Sequence, residues 1–173
     1  EYDSGQSYYL LKNGKKIGRD SLYIWDMTYD FEQEEKIRFR DLKTDKVGFF
    51  GPNGKIIIPA IYDDAQPFRN GTAVVLYNAR HICADGSIYD PKHPCEHWNW
   101  DGITALIDTE NNVIADSLDL NSLSYINWYS MKKSDKPADT ILQRSYKSKD
   151  GHYLSFLDYE KGVQILVFSE VYK

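Results

Sequence analysis

Short apolar runs separated by polar turns recur along the chain, and this combination is typical of β-hairpins. The segments are YYLLKNGKKI at 8–17, GFFGPNGKII at 48–57, ALIDTENNVI at 105–114 and SFLDYEKGVQ at 155–164. The clearest turns are Asn13-Gly14 and Asn53-Gly54, because Asn and Gly tolerate the positive φ at which a hairpin reverses. A lone hairpin cannot bury its apolar face, so the recurrence predicts a repeat protein.

The pattern predicts an all-β fold of antiparallel hairpin repeats with long loops. We expect a single domain over 1–173, with its hairpins forming a solenoid-like or partial-propeller sheet. The expected repeat units lie near 8–40, 46–77, 103–129 and 153–172. An irregular insertion at 78–101 and a polar, Lys- and Ser-containing loop at 130–150 separate them. An aromatic content of 14% agrees with strands.

Residues 46–75, KVGFFGPNGKIIIPAIYDDAQPFRNGTAVV, resemble the bacterial WG repeat. The matching positions are Gly48, Phe49, Gly54, Lys55, Ile58, Pro59, Tyr62, Asp63, Phe68, Gly71, Ala73 and Val75, and the third segment matches more loosely. Val47 stands where the WG pattern has its Trp. The resemblance implies a β-rich repeat module, extracytoplasmic or within a large bacterial protein. The WG pattern has no established common activity and defines no catalytic residue.

Residues 78–101 hold the candidate metal and disulfide chemistry: His81, Cys83, His93, Cys95 and His97. Thiolate and imidazole are preferred zinc ligands, although this spacing differs from that of a standard structural zinc site. A Cys83–Cys95 disulfide, a zinc site and free thiols beside solvated His side chains all stay open. The disulfide is favoured for a protein outside the cytoplasm. We expect no cofactor, with zinc as the alternative.

Aromatic side chains form a second candidate site. Trp98 and Trp100 flank Asn99 in the insertion, and Trp128 and Tyr129 follow the third segment. Flat rings beside polar side chains suit a carbohydrate ligand. Packing of the same rings against the ends of the repeat core is the simpler interpretation.

Enzyme chemistry finds little support in the sequence, and we expect no catalysis. Neither GxSxG, GxGxxG nor a phosphate-binding Gly-Lys-Ser/Thr loop occurs. Asp63 is explained most simply as capping a turn through a hydrogen bond to its own backbone. Cys95 and His97 on one strand would rarely hold the geometry of a nucleophile and its base.

The net charge and the hydropathy of the chain limit which classes of partner are expected. The net charge is −5, and no run of Lys and Arg exceeds two residues, so nucleic acid is not expected. No apolar segment reaches the roughly 18–20 residues that span a membrane. Because the chain begins at Glu1 without a Met, we expect that it has lost an upstream segment, either a removed secretory or lipoprotein leader or the preceding part of a longer protein. With the resemblance to the WG repeat, we expect a location in the periplasm or at the cell surface.

These observations predict a non-catalytic binding or scaffolding module whose insertion contacts an unknown protein or glycan. A metal- or carbohydrate-binding module centred on 81–100 is the alternative, and a hydrolase comes third.

Overall fold

The computed structural model describes residues 7–119, 123 and 125–161, which form short β-strands joined by tight turns. The strands are β1 Tyr9–Leu10, β2 Lys16–Ile17, β3 Ile24–Trp25, β4 Thr28–Tyr29, β5 Ile37–Asp41, β6 Lys46–Phe50, β7 Ile56–Tyr62, β8 Asp64–Ala65, β9 Thr72–Cys83, β10 Trp98–Asp108, β11 Val113–Asp116, β12 Ile126–Ser134, β13 Gln143–Lys147 and β14 Tyr153–Asp158. Their pairings are antiparallel. The predicted all-β, antiparallel fold is therefore confirmed.

One turn geometry closes five hairpins within the described residues. The turns span 11–15, 51–55, 83–87, 108–112 and 148–152. In each, the first residue donates its N–H to the carbonyl of the fifth, and the fourth donates its N–H to the carbonyl of the first, at 2.7–3.1 Å. A five-residue turn with both bonds fixes the register of the strands on either side.

The fourth residue of each turn lies in the left-handed backbone region. These residues are Gly14, Gly54, Gly86, Asn111 and Gly151, with φ between +67° and +88°. Glycine adopts this conformation without the steric cost of a Cβ, and Asn tolerates it better than most residues. The sequence therefore places Asn-Gly or Asp-Gly at four of these turns.

A side-chain oxygen completes each turn. In four of them the third residue accepts the N–H of the fifth; these acceptors are Asn13, Asn53, Asp85 and Asp150. The turn at 108–112 has Glu110 at its third position, and there the carboxylate of Asp108 accepts the N–H groups of Glu110 and Asn112 instead. The polar residues between the apolar runs thus satisfy backbone groups of the turn.

The fourth predicted hairpin, at 155–164, extends beyond the described residues and stays a prediction: β14 ends at Asp158, residues 159–161 are helical, and 162–173 are not described. A further hairpin, around 148–152, joins β13 to β14. The predicted polar loop at 130–150 is wrong to that extent, because it contains the end of β12 and all of β13. Its polar side chains bond across strands, as between the hydroxyl oxygens of Ser145 and Ser155 at 2.7 Å.

Two compact units divide the chain. Among the described residues, 7–68 and 73–103 form the first, whereas 69–72, 104–119, 123 and 125–161 form the second. The division falls inside β10, so the expected single domain over 1–173 stays a prediction.

The first unit contains a three-stranded sheet in the order β5-β6-β7. Val47 and Phe49 of β6, with Ile58 of β7, are almost fully buried, and the ring of Phe68 meets that of Phe49 edge-on at 4.9 Å. Gly48 lies between these apolar residues because the backbone of β7 approaches it closely. A Cβ on Gly48 would lie 2.6 Å from the carbonyl oxygen of Ile58.

Asp63 joins segments that are distant in sequence. Its buried carboxylate accepts the N–H of Ala79 at 3.0 Å and the ammonium of Lys46. The expectation that Asp63 caps a local turn is therefore wrong, because its described partners lie 16 and 17 residues away. Bonds to a backbone amide and an ammonium satisfy a carboxylate that burial would otherwise destabilise.

In the second unit, Ala105–Ile107 of β10 pairs with β11, and a separate sheet has the order β12-β14-β13. Phe156 and Leu154 of β14 lie in its core. The buried carboxylate of Asp158 accepts the guanidinium of Arg144 and the N–H of Lys161. Burial alone raises the pKa of Asp158, but these bonds outweigh it and hold the pKa below its ordinary value.

The expected solenoid-like or partial-propeller arrangement stays a prediction. Within the part of the chain that the structure describes, no helix is long and apolar enough to cross a membrane.

Replacing Gly48 with Ala tests the close approach of β7. Its new Cβ would meet three backbone atoms of 58–60 at 2.6–2.8 Å, so we expect the free energy of unfolding in urea to fall by about 3 kcal/mol. Gly14→Ala is the control, since the space around Gly14 is open and only its positive φ is disturbed, at roughly 1 kcal/mol. Equal losses in the two variants would contradict the steric explanation.

Candidate functional site

The insertion predicted at 78–101 is an extended hairpin of the first unit. β9 runs to Cys83, the chain turns at 83–87, and the returning residues pair with β9 through the N–H of Tyr89 and the carbonyl of His81 at 2.9 Å. A loop then leads to the start of β10 at Trp98. We call the segment 78–103 the cystine hairpin.

Gly102 sets how closely the strands approach at the base of the cystine hairpin. A Cβ on Gly102 would lie 2.5 Å from the Cβ of Ala79, so a larger residue would force the backbones apart. Asn78 adopts a positive φ of 51° just before this contact. The N–H of Ala79 is the one that Asp63 accepts, so the buried carboxylate fixes the point at which the hairpin begins.

Four rings assemble on one face of the cystine hairpin. The His81 ring stacks on Trp98 with 3.6 Å between centroids and an interplanar angle of 27°. Trp100 tilts against His81 at 4.0 Å, and Tyr89 meets it edge-on at 5.7 Å. Trp98 and Trp100 share this face because alternate residues of a strand project to the same side.

The aromatic cluster is only partly covered. Trp98 keeps 41% of its surface exposed, whereas His81, Tyr89 and Trp100 are half-buried. The Nε2 atom of His81 is buried and makes no hydrogen bond to any described residue. Ring contacts, which are worth about 0.5–1.5 kcal/mol each, therefore dominate the surroundings of this imidazole.

A disulfide joins Cys83 and Cys95, whose Cα atoms lie 6.0 Å apart across a sequence separation of 12. Cys83 is buried and also opens the turn at 83–87. In that turn, the backbone N–H and hydroxyl of Ser87 hold the pKa of Asp85 below its ordinary value. The disulfide therefore ties the exposed return segment back to the ordered end of β9.

The candidate zinc ligands are not gathered around one point. His93 and His97 are exposed, and the two sulfurs are bonded to each other, so neither is a thiolate in this structure. Among residues 7–119, 123 and 125–161, no group of three His, Cys, Asp or Glu side chains is arranged to hold a metal ion. The disulfide also removes Cys95 as a nucleophile for His97.

The second candidate aromatic pair lies in the other unit. Trp128 is buried, and its ring meets Phe156 edge-on at 5.2 Å, which makes it part of the core. Its neighbour Tyr129 is exposed on β12. Trp98 is therefore accessible to a ligand and Trp100 partly so, whereas Trp128 is not.

Sequence reasoning missed two residues of this site. Tyr89 was not linked to the two Trp residues, although its place opposite His81 follows once the turn at 83–87 is recognised. The signal for that turn was the dipeptide Asp85-Gly86, which is among the strongest short-range hairpin indications. No sequence signal paired Gly102 with Ala79.

The model of the family described as the WG containing repeat matches residues 48–79, and the predicted WG-type repeat in that segment is confirmed. This family is not a known enzyme family. Neither the curated proteins nor the solved structures yielded a match to the chain.

The residues matched by the family model include several that stabilise the fold of the first unit. The matched segment begins at Gly48, which admits the backbone of β7, and includes the turn at 51–55 and the carboxylate of Asp63. It ends at Ala79, which donates to that carboxylate. The cystine hairpin therefore starts where the matched repeat stops.

Opening the disulfide should destabilise the protein measurably. Cys83→Ser, or reduction of the unaltered chain, is expected to lower the free energy of unfolding in urea by about 3 kcal/mol, the usual effect of releasing a loop of this length. Alkylation followed by mass measurement should add two groups only after reduction.

Reductant should leave the stability of Cys83→Ser unchanged, which separates the disulfide from general effects of the reagent. Two alkylated thiols in the untreated protein would contradict the disulfide. Elemental analysis then tests the zinc alternative, which requires about one metal ion per chain.

Proposed function

We propose that this chain is a non-catalytic binding or scaffolding module that acts outside the cytoplasm and contacts its partner through the cystine hairpin. The hairpins around 8–17, 46–62 and 105–116 form the scaffold in this proposal, stacked in the predicted solenoid-like or partial-propeller manner. The observation that carries the proposal is the partly exposed aromatic cluster on a disulfide-closed hairpin.

Rigidity supports a binding role for this cluster. The cystine hairpin is held at its base by Asp63 and near its far end by the disulfide. A surface that is ordered before binding loses less conformational entropy when it meets a partner. Trp and Tyr are also the residues that most often dominate binding energy at interfaces.

The disulfide supports the proposed location. Disulfides persist in the periplasm and at cell surfaces and are rare in a reducing cytoplasm. The family match supports the non-catalytic part of the proposal because the WG containing repeat is not a known enzyme family.

Binding to the cell envelope provides a direct test. We expect the purified chain to cosediment with envelope fractions of its source cells, and Trp98→Ala to weaken this binding about tenfold or more, as loss of a central Trp commonly does. Leu42→Ala is the matched control, because Leu42 is 70% exposed and lies outside the cystine hairpin. An absence of binding, or equal losses in the two variants, would contradict the proposal.

A carbohydrate ligand is the second candidate, favoured by the exposed ring of Trp98. Against it, Asn99 and Asp101 alternate with the Trp residues and so project to the opposite face, and Asp101 pairs there with Arg80 at 3.0 Å. A sugar on Trp98 would therefore take its polar contacts from the loop residues before β10.

A glycan array distinguishes this candidate from a protein partner. Carbohydrate binding predicts a defined set of retained glycans that Trp98→Ala abolishes while the variant stays folded. If no glycan binds and Trp100→Ala unfolds the protein, the carbohydrate candidate is contradicted and the rings serve packing.

A further inference from the structure

The first compact unit contains an open cavity that the proposed function does not use. Its volume is about 550 Å³, which lies within the range of sites for small ligands. The apolar residues that line it are Tyr9, Leu10, Leu11, Ile17, Ile37 and Pro52. The charged residues that line it are Lys12, Glu32, Glu35 and Lys36. None of these residues belongs to the cystine hairpin.

The apolar part of the cavity is continuous with the core of the same unit. Ile17 is part of a buried apolar cluster, against which Tyr9, Leu11 and Ile37 pack. Burial raises the pKa of Tyr9 to about 12, as poorly hydrated surroundings do for a phenol. The cavity therefore presents an apolar surface that the core of the unit holds in place.

A tight turn supplies the two carboxylates of the wall. Gln33 and Lys36 exchange two backbone hydrogen bonds, at 2.9 and 3.0 Å. The residues between them, Glu34 and Glu35, have φ of 51° and 62°, as a two-residue hairpin turn requires. The carboxylate of Glu32 accepts the N–H of Glu35. The backbone that carries both carboxylates is therefore fixed before any ligand binds.

The two lysines of the wall differ in what their ammonium groups contact. The ammonium of Lys36 donates to a backbone carbonyl at 2.9 Å and lies 4.9 Å from the centre of the Phe68 ring. Lys12 is exposed in the turn at 11–15, and within the described part of the chain its ammonium forms no ion pair with either glutamate of the wall. One ammonium and two carboxylates therefore border an apolar cavity without pairing directly with one another.

We propose that this cavity binds a free amino acid or short peptide with apolar side chains, in its zwitterionic form. The Lys12 ammonium pairs with the terminal carboxylate of the ligand, and Glu32 and Glu35 accept its terminal ammonium. An apolar side chain of the ligand packs against Leu11 and Ile37, where it is removed from water. Because no residue of the cystine hairpin takes part, this site can be tested independently of the proposed function.

Other classes of ligand match these charges less well. A purely apolar ligand would cover the charged side chains without providing partners for them, which is unfavourable. An anionic amphiphile such as a fatty acid would satisfy Lys12, but the carboxylates of Glu32 and Glu35 would repel it. A zwitterion offers a partner of each sign and leaves the net charge of the site unchanged.

The exposure of the charged groups limits the expected affinity. Ion pairs between exposed groups contribute little each, and the apolar contact of a small ligand involves few side chains. For a dipeptide we therefore expect a dissociation constant of about 0.1–1 mM.

NMR titration of the complete chain with the dipeptide Leu-Leu tests the proposal. The methyl signals of Leu11, Ile17 and Ile37 should shift and saturate, while those of Val113 and Leu154 in the other unit should stay unchanged. Acetylating the amino group of the probe, or amidating its carboxyl group, removes one charge. Each change should weaken binding about fivefold, the upper effect of an exposed ion pair.

Two variants identify the group that pairs with each end of the probe. Lys12→Gln should weaken binding of Leu-Leu about fivefold but leave the affinity for its amide unchanged. Glu35→Gln should likewise weaken binding of Leu-Leu and leave the affinity for the N-acetyl derivative unchanged. Lys43→Gln and Glu110→Gln are the matched controls, because both side chains are exposed and lie outside the cavity, and they should bind all three probes as the parent does.

The absence of saturable shifts overturns the proposal, as does equal affinity of the unaltered chain for the three probes. Lys12 and Glu35 are exposed, so both variants should keep the thermal unfolding of the parent. Variants that weaken the three probes to the same extent would contradict the assigned pairing. Saturable binding of dodecylphosphocholine below its micelle concentration, with no binding of the peptides, would also overturn the proposal and assign the cavity to a lipid headgroup.

Discussion

The architecture depends on one backbone constraint: the left-handed residue at the fourth position of each five-residue turn. With this residue in place, the two backbone bonds of the turn close and the register of the flanking strands follows. The constraint is met by Gly at four turns and by Asn at the fifth. Apolar residues on either side can then vary in identity and still pack, which explains why the turns are more alike in sequence than the strands.

This constraint also explains how much of the fold could be predicted. The hairpins at 8–17, 48–57 and 105–114 were found because their turns and apolar runs coincide with the observed ones. The fourth, at 155–164, extends beyond the described residues, and the gapless comparison missed the turn that Asp150-Gly151 forms before it. Asp85-Gly86 carried the same local signal inside a segment interpreted as irregular.

Contacts between distant segments could not be predicted in the same way. Asp63 stands in a local Tyr-Asp-Asp sequence, so a local cap was the natural interpretation, and nothing in the sequence states that its partner is the N–H of Ala79. The aromatic cluster could not be predicted for the same reason. Trp98 and Trp128 were grouped by residue type alone. In the structure, strand pairing brings His81 and Tyr89 to Trp98, whereas Trp128 is buried in the other unit. The residues that form a turn can be predicted from the sequence, whereas the neighbours of a residue on adjacent strands depend on the register of strand pairing.

The space around the turns has a consequence for how such a chain can diversify. A side chain added at Gly86 or Gly151 would meet no atom within 4 Å, whereas one at Gly54 would strike Ile17. Loop closure becomes only about 0.6 kcal/mol less favourable with each doubling of loop length. The open turns are therefore places where residues could be inserted with little disturbance to the sheets, whereas at Gly48 and Gly102 the neighbouring strand approaches too closely to accept even a Cβ.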